Sequence, residues 1–269
     1  MDITVIGGGP AGLFFSLLMK RRDPAHRIAV FERNRPDDTF GWGVVFSDET
    51  LNNIAAADPE SYAEITSSFA HWDAIDIHYR GEVLTSRGHG FSGLARKRLL
   101  NVLQRRAVAL GVELRFHHDV SDIETLRRGD LLLAADGVNS QVRSRYAEAF
   151  RPTLDWRANK FIWLGTTRRF DAFTFFFKAD AHGLWRVHAY QFEAGHGTFI
   201  VETTDACWRS AGLDRASEDD TIAFCEALFA AELQGHKLLK SRALWRSFPT
   251  VRNERWSFDR VALIGDAAH

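Results

Sequence analysis

The chain has 269 residues, 45% of them hydrophobic, with 34 Lys and Arg against 35 Asp and Glu for a net charge of -1. Such a chain can bury a substantial core in one large or two modest domains, and its charge gives no reason to expect nucleic acid or an anionic membrane as partner. Cys207 and Cys225 are its two cysteines and form no CxxC or zinc spacing, so free thiols are expected and no metal site.

The first element is a strand, Asp2-Ile-Thr-Val-Ile6, that runs into Gly7-Gly-Gly9-Pro10-Ala11-Gly12 and then an apolar helix. Gly7 permits the tight turn, Gly9 lets backbone approach a pyrophosphate, and Gly12 lets the helix pack close to the sheet. The helix N-terminus aims unpaired N–H groups and the positive dipole end at the phosphates. A second strand, Ile28-Ala-Val-Phe-Glu32, ends on a carboxylate placed to accept the hydroxyls of an adenosine ribose. This βαβ context marks a dinucleotide site without separating FAD from NAD. Leu13–Met19 is apolar, but Asp2 precedes it and Lys20-Arg21-Arg22 follow it, which is the wrong order for a signal peptide. With no stretch long enough to span a bilayer, a cytoplasmic protein is expected.

Arg33 to Phe46 reads as a loop with Gly41-Trp42-Gly43 at its tip, where Trp42 faces a ligand or anchors the loop. Leu51 to Phe69 reads as helical with a break at Pro59, Ile75–Tyr79 as a strand, and Leu94 to Leu110 as an amphipathic helix stopped by Gly111. Val112–Phe116 and the fully apolar Leu131–Ala135 read as strands, the second closed by Asp136-Gly137. From about 158 to 202 aromatic and β-branched residues dominate, which predicts an antiparallel sheet inserted into the nucleotide fold. Ser217 caps a helix with an acidic first turn, and Val261–Ile264 returns as a short strand ending in Gly265-Asp266. The expected division is a cofactor domain over 1–157, with 70–93 given to the substrate region, a substrate-binding sheet over 158–250, and a return to the cofactor domain over 251–269.

Three motifs now stand in order: Gly7/Gly9/Gly12, then Ala135-Asp136-Gly137-Val-Asn-Ser140-Gln-Val-Arg143, then Gly265-Asp266-Ala-Ala-His269. Together they resemble the flavoprotein aromatic hydroxylases, the single-component FAD monooxygenases of the para-hydroxybenzoate hydroxylase type. That resemblance implies an α/β fold: a Rossmann-like FAD-binding domain (GR2 type) carrying an inserted, mostly antiparallel β-sheet substrate domain. It also implies FAD as cofactor, NADH or NADPH as electron donor, and hydroxylation of an aromatic ring by O₂ through a flavin C4a-hydroperoxide. In the family, the residue matching Asp266 contacts the ribityl chain, the Asp136-Gly137 segment serves both FAD and NAD(P)H, and an arginine matching Arg96 lies near the flavin. Pro10, Ala11, Arg33 and Arg143 complete the candidate cofactor set. The segments Phe40–Phe46, Asn159–Gly165 and His188-Ala-Tyr190 are similar to the hydroxylase part of salicylyl-CoA 5-hydroxylase and anthraniloyl-CoA monooxygenase. An aryl-CoA thioester is therefore the implied substrate.

Trp163, Phe175 and Tyr190 are the candidate ring pocket, and His188 is the candidate catalytic residue that polarises a substrate hydroxyl. The same aromatics also read as ordinary sheet core, and His188 as a structural histidine. Family members continue past the third motif, so the chain is expected to be C-terminally truncated, with a reductase-like domain following in bifunctional relatives. Two alternatives stay open: an FAD oxidoreductase without oxygen transfer, of reductase or halogenase type, and an inactive FAD-binding module.

Overall fold

The computed structural model describes residues 1–39, 41–240 and 244–269, so Phe40 of the Phe40–Phe46 segment lies outside the described residues. The chain forms two compact units. Met1–Asp38, Lys97–Trp156 and Pro249–His269 build the first; Thr39–Arg96 and Arg157–Phe248 build the second.

The first unit is organised by a six-stranded sheet with Asp2–Ile6 at its heart, flanked in parallel by Arg27–Phe31 and Leu131–Ala134. Glu113–Arg115 and Val261–Leu263 extend it in parallel on either side, and Ser257–Phe258 closes one edge as an antiparallel strand. Ile3, Val5, Leu132 and Leu133 are buried, which explains why these strands read as apolar runs instead of alternating ones. The helix Pro10–Arg22 starts on Pro10 behind Gly9 and ends on Lys20, Arg21 and Arg22, the charge order that its dipole favours. It buries Leu13 and Leu17. Parallel strands on both sides of the first place their C-terminal ends together, where open α/β sheets bind ligands.

The second unit carries a seven-stranded, mostly antiparallel sheet in the order Leu238–Leu239, Lys160–Thr166, His196–Thr203, Gly183–Glu193, Phe173–Asp180, Ile75–Tyr79, Glu82–Ser86. Within this sheet, only the pairing of Phe173–Asp180 with Ile75–Tyr79 is parallel among the described strands. Because side chains alternate across a strand, Ile162, Leu164, Trp185, Val187, Phe199 and Val201 share one face. Cys207, Cys225, Phe229 and Leu233 from the helical segment that follows cover that face and make it core. The opposite face carries Trp163, His188, Tyr190, Ile200 and Glu202. A smaller sheet joins Gly43–Ser47, Phe91–Ala95 and Ala70–Trp72.

Several expectations change here. Gly43–Ser47, expected as loop, is a strand, and Leu94 and Ala95 end a strand before the helix Arg96–Ala109 begins. Gly93 lies inside that strand because a close neighbour needs the space: a Cβ there would lie 2.2 Å from the Gln191 carbonyl oxygen. Residues 41–69, expected in the cofactor domain, lie in the second unit. The break at Pro59 falls between the helices Asp48–Ala57 and Pro59–Thr66.

Candidate functional site

In the first unit the three motifs meet at the C-terminal ends of adjacent strands. Gly7 sits at φ +109°, and a Cβ on it would lie 2.2 Å from the Ala135 carbonyl oxygen, so the first turn touches the second motif through bare backbone. A Cβ on Gly12 would lie 2.2 Å from the Gly7 carbonyl oxygen, which holds the helix start against the turn. Gly265 brings in the third motif, its Cβ position 3.0 Å from the Ala11 Cβ.

Side chains reinforce that meeting. Asp136 Oδ2 accepts the Gln141 N–H (2.8 Å) and Val142 N–H (3.3 Å), while Ser140 Oγ accepts the Arg143 N–H (3.0 Å). The middle motif thereby caps the short helix Gln141–Arg145. Arg143 is 3% exposed, and its guanidinium turns inward to donate to the carbonyl oxygens of Ala267 (3.0 Å) and Val138. Burial pushes that guanidinium below its ordinary value, with the Asp136 carboxylate opposing. Arg143 thus ties the second motif to the third.

At the end of its strand, Glu32 accepts the Gly8 N–H on Oε2 (2.7 Å) and both the backbone N–H (2.8 Å) and side-chain amide (2.7 Å) of Asn34 on Oε1. Arg33 and Asp266 are exposed, and Gly9 and Gly137 have open space where a Cβ would point. The helix behind Gly9 has no side-chain cap, so its first-turn N–H groups are left for a ligand.

Trp42 and Arg96 lie in the second unit, where the Arg96 N–H donates to the Trp42 carbonyl (2.8 Å). The Trp42 indole packs against Gly165 and Phe192. A cavity of about 630 Å³ opens in this unit on the face away from the helices. Trp163, Tyr190, Ile200, Val44 and Val45 give it apolar lining and Arg157, Asn159 and Glu202 polar lining, while the Lys160 ammonium is engaged by Ser247 Oγ (3.1 Å), Asp205 (3.5 Å) and the Trp208 ring. Tyr190 donates its hydroxyl to the Gly43 carbonyl (2.9 Å), and burial pushes its ionisation up to about 12, so it remains a neutral donor. Phe175 is on the same face and 5.5 Å from the His188 ring, but it is not among the residues lining the cavity.

His188 lines the cavity beside Glu202, with Nε2 3.3 Å from Oε2. Arg186 also donates to Glu202 Oε2, and Asn159 Nδ2 donates to Oε1 (3.0 Å). Burial would raise the Glu202 carboxyl, but the hydrogen bonds from Arg186 and Asn159 outweigh it and hold the group below its ordinary range. Glu202, Asn159 and Asn34 were missed in the sequence. Strand register was the available signal for Glu202, which stands opposite both Phe161 and Arg186.

Comparison with known proteins fixes the family. A model described as FAD binding domain matches residues 1–269. The chain belongs to the FAD binding domain family. This FAD-binding domain is 43% identical to salicyloyl-CoA 5-hydroxylase of a Streptomyces species, over 100% of this chain and 54% of that protein. It therefore spans about half the length of that relative. It is 34% identical to 3-hydroxy-4-methyl-anthranilyl-[aryl-carrier protein] 5-monooxygenase of Streptosporangium sibiricum, over 100% of this chain and 72% of that protein. Its fold matches 2-methyl-3-hydroxypyridine-5-carboxylic acid oxygenase with a TM-score of 0.79 at 18% identity, over 100% of this chain and 75% of that one.

The residues of the first unit fit FAD. Asp136 Oδ1 is buried with no hydrogen-bond partner among the described residues, a costly state for a carboxylate oxygen unless a ligand hydroxyl supplies the donor. The Cβ-free turn at Gly7–Gly9 and the open first turn of the helix suit a pyrophosphate. Among the described residues no helix is long and apolar enough to cross a membrane.

Proposed function

We propose that this chain is the FAD-binding and ring-binding part of a monooxygenase that hydroxylates an aromatic acid carried as a CoA thioester. The observation that carries this reading is the make-up of the cavity, apolar and aromatic around Trp163, Tyr190 and Ile200, with the polar residues Arg157, Asn159 and Glu202 also in its lining. A volume of about 630 Å³ suits a ring with part of its carrier arm, since ligand cavities run from roughly 300 to 1,000 Å³. The identity to salicyloyl-CoA 5-hydroxylase supports the same substrate class.

FAD, when bound, supplies the redox chemistry that joins a reduced nicotinamide to O₂ and the ring. Gly7, Gly9, Pro10, Ala11 and Gly12 would hold its pyrophosphate, Glu32 and Arg33 its adenosine end, and Asp136, Gly137 and Asp266 its hydroxylated chain. Arg143 supports that set from beneath through its bonds to backbone carbonyls. Trp42 and Arg96 belong to the flavin side of the reading. Trp163, Tyr190 and Ile200 orient the ring and exclude water, which is the protein's main contribution to such a reaction. The Tyr190 hydroxyl, held by Gly43, fixes one wall. The buried free thiols Cys207 and Cys225 accord with a cytoplasmic enzyme.

The test is O₂ consumption by the complete gene product with NADH or NADPH, with and without salicyloyl-CoA. Substrate-dependent uptake with a hydroxylated thioester by mass spectrometry is expected. Peroxide formation indifferent to the thioester, or reduction of a substrate without oxygen incorporation, would replace this reading with an FAD oxidoreductase.

A further inference from the structure

Glu202 has no place in the cofactor set, yet it is one of the most heavily bonded side chains on the cavity face. Its side chain is 17% exposed and His188's is 27% exposed. Three donors converge on the carboxylate: Arg186 and His188 on Oε2, Asn159 on Oε1. A carboxylate held in its ionised form has only lone pairs to offer, so the proton between it and His188 must sit on Nε2. A neutral imidazole with Nε2–H has a bare lone pair on Nδ1. Among the described residues Nδ1 has no hydrogen-bond partner, and His188 lines the cavity.

We propose that Glu202 is a positioning residue that locks His188 in the Nε2–H form, so that Nδ1 faces the cavity as proton acceptor for a hydroxyl or amino group on the bound ring. This inference rests on the hydroxylase reading for its substrate and on the cavity geometry for the histidine. In the step, the ring O–H bond breaks as an Nδ1–H bond forms, and the electron pair stays on the ring oxygen. The ring becomes more electron-rich, and the new imidazolium charge lies against the Glu202 carboxylate. The charged groups that act on its titration are Glu202 on the neighbouring strand and Arg186 on its own strand; Tyr190 and Arg157 also line the cavity. The strand on the other side presents Phe175, which carries no charge. Burial holds the imidazole below its ordinary value, Glu202 raises it and Arg186 lowers it, so the free enzyme carries His188 neutral and ready to accept.

Two readouts on the holoenzyme test the assignment. Long-range ¹H–¹⁵N NMR of ¹⁵N-histidine protein should show His188 with its proton on Nε2, and E202Q should lose that preference. Ultraviolet titration of bound salicyloyl-CoA should show the phenolate appearing at lower pH in wild type than in E202Q or H188N. Turnover should fall about tenfold to a hundredfold in E202Q and at least about a hundredfold in H188N. An unchanged tautomer and phenolate titration in E202Q, with loss confined to KM or thermal stability, would overturn the proposal. Wild-type enzyme that does not bind salicyloyl-CoA would overturn the substrate reading instead, and the tautomer spectrum would then decide Glu202 alone.

Discussion

Glu32 has three N–H donors from the protein itself, from Gly8 and from both nitrogens of Asn34. A carboxylate offers about four lone-pair sites, so room remains for a ribose hydroxyl while the bonds to Gly8 keep the glycine turn in register. Glu32→Ala should lower FAD affinity by about tenfold to a hundredfold, the equivalent of roughly 1.5–3 kcal/mol. Titration of apoprotein followed by flavin fluorescence measures it, and unchanged affinity would remove Glu32 from the cofactor set. Arg143 answers to a different readout. Its guanidinium is buried and bonded to the carbonyls of Ala267 and Val138, so Arg143→Met leaves buried acceptors unpaired. A loss of about 3 kcal/mol in urea unfolding is expected, present in apoprotein and holoprotein alike. A fall in FAD affinity with unchanged apoprotein stability would instead give Arg143 a direct contact with the cofactor.

Among the elements, those read correctly from the sequence are those whose local signals agree with their tertiary role. Ser217 is one: its hydroxyl accepts the Asp220 N–H (3.1 Å), and the Asp220 carboxylate returns the contact to Ser217, so a capping box opens the helix Glu218–Leu228. Ser217→Ala should cost about 1 kcal/mol, read as a shift in the urea midpoint with no change in slope. The parallel strands Asp2–Ile6, Arg27–Phe31 and Leu131–Ala134 were equally legible, because burial on both faces leaves a short apolar run. Gly43–Ser47 and Phe91–Ala95 were not, since each contains a glycine whose missing side chain makes room for a neighbour, Phe192 at Gly43 and Gln191 at Gly93. Local propensity registers such a glycine as a breaker; only the partner across the gap shows that it is packing. The cavity divides the same way. Trp163, His188 and Tyr190 stood out by residue type, whereas Glu202 gains its meaning from a register with His188 and Arg186 that no single strand contains.

At the scale of the whole molecule, a net charge of -1 makes overall self-repulsion small near neutrality, so acid sensitivity must come from particular groups shifted by their surroundings. Two imidazoles qualify. His78 packs 4.7 Å from the Phe176 ring, and burial lowers its pKa, with Asp76 and Glu232 pulling it back up and Arg168 pushing it down. Burial lowers His188 likewise. Both are depressed in the folded chain, so between their folded values and the ordinary imidazole value of about 6.5 the unfolded state binds more protons than the folded one. Their contribution is fully in place above about pH 6.5 and is lost as pH falls toward the folded values. Glu202 adds to the loss at lower pH, since its carboxyl is held below its ordinary value by Arg186 and Asn159 despite burial. Melting temperature should therefore hold steady from about pH 8 to 7 and decline from about pH 6.5 downward. His78→Phe, which keeps a ring against Phe176 and removes the titrating group, should flatten the upper part of that decline and leave the lower part in place. A variant whose melting curve falls as steeply as wild type between about pH 6.5 and 5.5 would show that the proton uptake belongs to other histidines.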